Sequence, residues 1–390
     1  MSLNLYLPRA DGGVETYGLV GTPTPRPAAV PAFSRIAYAA AHVVSDPRRD
    51  TRPWEAPAVD WERTMAFRHH LWSLGFRIAE AMDTAQRGMG LDWPGAQDLI
   101  RRSLTEAKTV PGADLACGAG TDHLNPVDAR SLDDVIRAYE EQVGFVEKHG
   151  GRAILMASRA LARLAASPDD YRKVYGRILG QAKDKVVLHW LGAMFDPQLA
   201  GYWGARDFAP ALETVLSIIE ENRDKVEGIK ISLLDNACEV ALRNRLPDGV
   251  LCFTGDDFNY AELIEGDGQK YSHALLGIFD AVAPQASRAL AALAGGDVAT
   301  FRAVIEPTVP LSRKIFEAPT QYYKAGVVFL AWLNGHQDHF TMPAGMQSAR
   351  GLLHYAEVFR LADRANALDR PDLAAAHMRS LMTVLGVGQD

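Results

Sequence analysis

The chain of 390 residues is short of cysteine: Cys117, Cys238 and Cys252 stand singly and far apart, with no CxxC pair and no even-numbered set from which a disulfide framework or a thiolate zinc site is built. Three such thiols read as buried residues of a protein kept in a reducing compartment, and the cytoplasm is the expected location. Excess positive charge is missing as well. Lys and Arg number 41 against 48 Asp and Glu, a formal net charge of -7, which withholds the basic footprint that a phosphate backbone demands and argues against nucleic acid as a partner. No window approaches the ~18 uninterrupted apolar residues of a membrane-spanning helix. The opening MSLNLYLPRADGG has no basic stretch followed by a long apolar run, so neither a signal peptide nor a membrane partner is expected. GxGxxG, HxH, HExxH and EF-hand patterns are lacking too, which leaves no motif for a dinucleotide or a metal, and no cofactor is expected. No internal repeat of about 20 to 50 residues is present, so a solenoid is not expected.

The chain does hold the material of a large core: 48% hydrophobic and 23% charged residues, the balance of a folded globular protein. Residues 1–34 carry Pro23, Pro25 and Pro27 in close succession. Proline fixes φ and removes a backbone donor, so this part is expected to be an extended arm with a short hairpin, outside the core. From residue 35 onward, short β-rich runs alternate with longer stretches of helical spacing, the rhythm of βα units. The runs are 35–44, 76–82, 114–118, 153–156, 185–190, 228–231, 249–253 and 273–279, and eight strands close a barrel. Between them, 61–74, 93–108, 132–149, 169–182, 209–223 and 237–246 place apolar residues at helical spacing. Beyond residue 284 the pattern is helical throughout. The expected fold is therefore α/β: a (β/α)8 TIM barrel over 35–284, an arm over 1–34, and an all-helical C-terminal extension over 285–390 packed on the barrel. An open doubly wound sheet is the weaker alternative, since no glycine-rich turn follows an early strand.

Chemistry in such a barrel sits where strands end and loops begin. The polar residues at those ends are Asp83 and Thr84, Asp122 and His123, Ser158 and Arg159, His189, Lys230, Asp256 and Asp257, and Asp280. Lys230 interrupts the β-rich run Gly228-Ile229-Lys230-Ile231. An inward charge there is costly unless it is paired or functional. Burial disfavours the ammonium and yields the neutral amine that attacks carbonyl carbon. A solvent-facing lysine, or an ion pair with a carboxylate such as that of Asp83, is the plainer alternative.

The stretches VEGIKISLLD (226–235) and LPDGVLCFTGDD (246–257) resemble the dihydrodipicolinate synthase / N-acetylneuraminate lyase family, whose corresponding motifs read GIKE or GIKD and then LPDG and SGDD. The resemblance runs from about residue 35 to the C-terminus and includes the Gly295-Gly296-Asp297 turn and Lys324. It implies a class I aldolase-type barrel of an uncharacterised branch, in which Lys230 forms a Schiff base with a small-molecule carbonyl substrate, and a homodimer or homotetramer. The departures are as informative. The family's GTTGE carboxylate cradle aligns with Met82-Asp83-Thr84-Ala85-Gln86. There Asp83 sets a negative charge against a pyruvate carboxylate and favours substrate hydroxyls instead. The family's catalytic tyrosine aligns with His189, which can also move protons near neutral pH. Its PPYY segment is replaced by Ala157-Ser158-Arg159-Ala160, where Arg159 offers a partner for an anionic group. The expected site is thus Lys230 and His189 for catalysis, with Asp83, Thr84, Ser158, Arg159, Asp122, His123 and Asp256 for substrate.

Two other readings remain open at this point. Asp83, Asp122, His123 and His189 have the ligand types of a divalent-metal lyase or isomerase site. A barrel without catalysis would leave Lys230 paired with Asp83. The aromatic run Trp190, Phe195, Tyr202 and Trp203 reads as core or lid packing more readily than as a sugar platform. The cluster Gly335-His336-Gln337-Asp338-His339 reads as a polar lid or interface loop of the helical extension.

Overall fold

The computed structural model describes residues 4–49 and 57–388. Its strands are β1 (Asn4–Pro8), β2 (Val14–Gly18), β3 (Ala37–Ala40), β4 (Arg77–Glu80), β5 (Leu115–Ala119), β6 (Arg152–Leu155), β7 (Val186–Leu191), β8 (Val226–Ser232), β9 (Leu251–Thr254) and β10 (His273–Leu276). β1 and β2 form an antiparallel hairpin, and β3 to β10 close into a parallel barrel in chain order, β10 pairing with β3. All eight expected runs supply a barrel strand, with helices between them and a helical C-terminal region.

Residues group into two compact units. The first comprises Arg35–Ala41 and Arg77–Leu276 and holds the whole barrel. Side chains alternate between the two faces of a strand, and the barrel interior is packed by a set that includes Tyr38, Ala79, Ala116, Ile154, Val187 and Phe253. Tyr38 and Phe253 meet edge to face with centroids 5.9 Å apart. At the N-terminal ends of the strands, Arg152 donates to the Tyr38 hydroxyl at 2.9 Å, to Asp114 at 2.9 and 3.0 Å and to Glu227 at 2.8 Å. Arg77 also pairs with Asp114, at 3.2 Å. These four charges tie β4, β6 and β8 together at one end of the barrel. The surrounding helices carry their own start signals: Ser131 and Asp134 form a capping box ahead of Leu132–Lys148, and the Asp92 side chain accepts from Gly95 N at the start of Trp93–Ala107.

The second unit comprises the described parts of Met1–Ser34, His42–Phe76 and Gly277–Asp390. Helix Trp61–Ser73, expected in the barrel's outer ring, groups here because its contacts lie here. Ser287 Oγ donates to Leu74 O at 2.8 Å, and Phe76 meets Phe279 at 5.5 Å. Helix Lys324–Leu333 is buried along its full length and supplies much of this unit's core. The N-terminal arm does not lie outside the core as its prolines suggested. Leu5 and Leu7 are fully buried, Tyr17 donates to Asp363 at 2.8 Å, and Arg360 donates to Glu15 at 2.7 Å and to Pro8 O at 2.9 Å. Alternating apolar residues of β1 found a partner face that composition could not show. Nor is the 335–339 cluster a lid: His336 packs against His70 with centroids 4.4 Å apart and against Phe67 at 5.0 Å, while Gln337 is fully buried. No helix among the described residues is long and apolar enough to cross a membrane.

Two positions test this packing. A Cβ at Gly228 would collide with Leu251 O and stand 2.8 Å from the Phe253 ring, so Gly228→Ala is expected to cost about 1–3 kcal/mol by overpacking. Gly144, inside Leu132–Lys148, has nothing within 4 Å of its missing Cβ, so Gly144→Ala is expected to stabilise by about 0.5–1 kcal/mol. Urea midpoints compare the two, and equal effects would contradict this packing. Burial also pushes the Glu239 carboxyl, on helix Asn236–Arg245, up to about 8 from its ordinary 4.5. A raised folded-state value means that folding takes up a proton. Glu239's contribution is complete below pH 4.5 and is lost as pH climbs through about 8. Thermal midpoints measured from acid to alkaline pH should fall with this profile, and Glu239→Gln should remove that fall.

Candidate active site

β7 and β8 run side by side with His189 opposite Lys230 and Leu191 opposite Ser232. Strand alternation puts His189 on the face of Val187, and Lys230 and Ser232 on the face of Gly228, the barrel interior. Lys230 is 7% exposed, and its Nζ makes no hydrogen bond or salt bridge with the described residues. Burial lowers its pKa, and the carboxylates of Asp83 and Asp257 oppose that without cancelling it. The room for its stem comes from Gly255: a Cβ there would collide with Ser232 Oγ and stand 2.8 Å from Lys230 Cε.

His189 is fully buried. Its Nε2 lies 3.3 Å from Ser232 Oγ, and its Nδ1 has no hydrogen-bond partner among the described residues. Burial, then the charge of neighbouring Lys230, holds its pKa well below the ordinary histidine range, so the ring is a neutral imidazole.

Beside these strand ends lies a cleft of about 170 Å³ whose lining includes Asp83, Arg87, Asp122, Met156, Arg159 and Asp196. Asp83 opens the short 3-10 turn Asp83–Ala85, is half-buried, and makes no side-chain hydrogen bond or salt bridge with the described residues. It both lines the cleft and acts electrostatically on Lys230. Thr84 is buried beside it.

Arg87, which sequence reasoning missed, organises the cleft wall. It is 5% exposed, and all five of its N–H donors are engaged. Nε donates to Asp122 at 3.0 Å; one terminal nitrogen donates to Ala81 O and to Gly118 O, each at 3.2 Å; the other donates to Asp122 and, at 2.8 Å, to Gln142. Ala81 sits at φ 53, a left-handed conformation that costs an alanine free energy, and its N–H donates to Glu80 at 2.9 Å. Asp122 is therefore held by protein. Burial would raise its pKa, but the charge and hydrogen bonds of Arg87, with a 2.8 Å bond from Gln142, lower it overall. The one sequence signal for Arg87 was a charge in the otherwise uncharged stretch 84–91 that follows Asp83.

The other expected residues divide. Arg159 lines the cleft; its Nε donates to Asp196 at 2.5 Å, and its terminal nitrogens make no hydrogen bond with the described residues. Ser158 is occupied structurally: its Oγ caps Leu161 N at 3.0 Å and lies 2.6 Å from the Thr121 hydroxyl, and its N–H donates to Tyr202 at 3.0 Å. His123 is tied to Gln142 at 2.8 Å and to Glu141 at 3.2 Å and does not line the cleft. Asp256 caps its own turn through Phe258 N, Asn259 N and Asn259 Nδ2. The proposed metal ligands Asp83, Asp122, His123 and His189 thus do not converge. Among the described residues no group of three His, Cys, Asp or Glu side chains is placed to hold a metal ion. Trp190, Phe195, Tyr202 and Trp203 are all buried, Trp190 stacking on Phe208 at 5.5 Å, as packing requires.

Comparison with known proteins gives the following. A family model described as "Protein of unknown function (DUF993)" matches residues 5–387. No curated protein matches. Solved structures do. Dihydrodipicolinate synthase from Aquifex aeolicus superposes with a TM-score of 0.64 at 10% identity, over 86% of this chain and 99% of that one. The Thermotoga maritima enzyme gives 0.62 at 15% identity, over 86% and 100%. An E. coli K12 prophage protein of the dihydrodipicolinic acid synthase family, solved in complex with pyruvate, gives 0.62 at 12% identity, over 92% and 100%. At such identities the likeness establishes the fold.

Arg87→Met removes five donated bonds and leaves Asp122 without its cation. The expected loss is about 3 kcal/mol, measured by chemical denaturation. A loss under about 1 kcal/mol, the value of one ordinary hydrogen bond, would mean that Arg87 does not hold this wall.

Proposed function

The chain belongs to the DUF993 family, and on that premise we propose that it is a lyase that forms a Schiff base through Lys230 with a 2-oxo acid or sugar-derived carbonyl compound. The observation that carries this reading is an amine inside the barrel with no hydrogen-bond or ion-pair partner among the described residues. A structural ion pair with Asp83 would need the two groups within 4.0 Å, and no such pair is formed. A pKa lowered by burial raises the share of free amine at neutral pH, and the free amine is the nucleophile. The dihydrodipicolinate synthase fold, and within it the E. coli relative that holds pyruvate, support a small oxo compound as the partner.

Lys230 Nζ attacks the carbonyl carbon, the carbinolamine loses water, and the iminium draws an electron pair from the adjacent carbon. That pair comes from a C–H bond or a C–C bond, giving an enamine in either case. His189, a neutral imidazole beside Lys230, accepts or returns the proton. The free carboxylate of Asp83 accepts hydrogen bonds from substrate hydroxyls, and the free terminal nitrogens of Arg159 meet an anionic group. This pairing favours a hydroxylated oxo acid over bare pyruvate, whose carboxylate Asp83 repels. Thr84, Ser158, Asp122, His123 and Asp256 shape and hold the surrounding loops. A homodimer or homotetramer in the cytoplasm belongs to the same proposal.

Incubation with a panel of 2-oxo acids and keto sugars followed by borohydride reduction tests it. One compound or more should add its reduced mass to a peptide containing Lys230, and Lys230→Ala should abolish the adduct. An unlabelled wild-type protein across the panel, or a variant labelled as before, would sink the proposal.

A further inference from the structure

From the His189 and Ser232 contact we infer that Ser232 is a positioning residue: it fixes His189 in the tautomer protonated on Nε2, so that Nδ1 presents a bare lone pair. The use made of that lone pair rests on the imine reading, but the tautomer does not. A neutral imidazole carries one hydrogen, and His189 has one partner for two ring nitrogens, the Ser232 hydroxyl 3.3 Å from Nε2. With the hydrogen on Nε2, it is donated to Ser232 Oγ and Nδ1 keeps only a lone pair. With the hydrogen on Nδ1, a fully buried N–H is left with no acceptor. Orphaned buried N–H groups are rarer than under-satisfied acceptors, and an unmade bond costs the full desolvation of its donor.

Ser232 is well placed to hold this arrangement. It is 1% exposed, it ends β8 opposite Leu191, and its carbonyl accepts from Gly192 N at 3.0 Å. The absent Cβ of Gly255 leaves the space its hydroxyl occupies. The consequence is a direction for proton transfer. When the C–H bond beside the iminium breaks, its electron pair becomes the enamine double bond and the iminium N–C π pair moves to nitrogen. The proton passes to Nδ1, and the resulting imidazolium keeps its Nε2–H on Ser232 Oγ. In the reverse step Nδ1 returns the proton to carbon.

Full-length protein labelled with 15N-histidine reports the tautomer directly, with His189→Asn identifying the signals. Wild type should show a protonated Nε2 and a bare Nδ1. Ser232→Ala should lose that single-tautomer signature, and Ser232→Thr, which keeps a hydroxyl, should regain it. With an oxo compound that traps at Lys230, Ser232→Ala should slow exchange of its adjacent C–H for deuterium roughly 10- to 100-fold, part of the ~10²–10⁴-fold that a positioned acid–base group contributes, while the borohydride adduct persists. A wild-type spectrum showing Nδ1–H overturns the inference, whether or not the variants fold. An Ala variant with unchanged spectrum and exchange overturns it too. Absence of any wild-type adduct counts against the lyase reading alone, because the spectrum still decides the tautomer.

Discussion

The interior of an eight-stranded parallel barrel has just enough volume for its own side chains, and every feature of the site depends on how that volume is shared. Large residues such as Tyr38 and Phe253 fill part of it. Glycines at 228 and 255 give some of it back, the first to the Phe253 ring and the second to Ser232 and the stem of Lys230. A lysine can stand inside because Gly255 has no Cβ, and among the described residues no carboxylate comes within ion-pair distance of it. Desolvation of its ammonium then outweighs the opposing charges of Asp83 and Asp257. Packing alone thus lowers the pKa of this amine.

Electrostatics divides the cleft into spent and available groups. Arg87 and Asp122 neutralise each other, and the remaining donors of Arg87 go to backbone carbonyls and Gln142. This pair therefore forms part of the cleft wall with its charges matched to each other. Asp83 and the terminal nitrogens of Arg159 make no hydrogen bond or salt bridge with the described residues, and one is acidic, the other basic. A ligand that satisfies both presents hydroxyl and acid groups at different points, a more demanding shape than that of a simple oxo acid.

Much of this was legible in the sequence, for identifiable reasons. Barrel strands are buried on both faces and read as short β-rich runs between helical patterns, so all eight were placed. Lys230 was conspicuous because a charge in such a run is costly, and His189 because it lies in another. Arg87 was hidden: its role comes from carbonyls of Ala81 and Gly118, on different strand ends, and backbone acceptors leave no mark in sequence. Ser232 was hidden because its value lies in facing His189 across two strands. Ser158, His123 and Asp256 were placed at the correct strand ends but are satisfied by neighbouring backbone and side chains, which a list of polar residues cannot reveal. The grouping of Trp61–Ser73 with the C-terminal helices and the burial of Leu5 and Leu7 have the same origin, contacts more than 200 residues apart along the chain.

The charges at the opposite end of the barrel bear on traffic. Arg152 gathers Tyr38, Asp114 and Glu227 across the N-terminal ends of the strands, over an interior already filled by side chains. These groups hold the N-terminal ends of the strands, while the cleft of Asp83 and Arg159 lies on the other side of the barrel's packed interior. If a substrate of the proposed kind reaches Lys230 from the cleft side, reactant and product would use the same threshold in turn. On the lyase reading proposed above, departure of product would then weigh on turnover alongside chemistry, because a product that lingers would exclude the next molecule by simple occupancy.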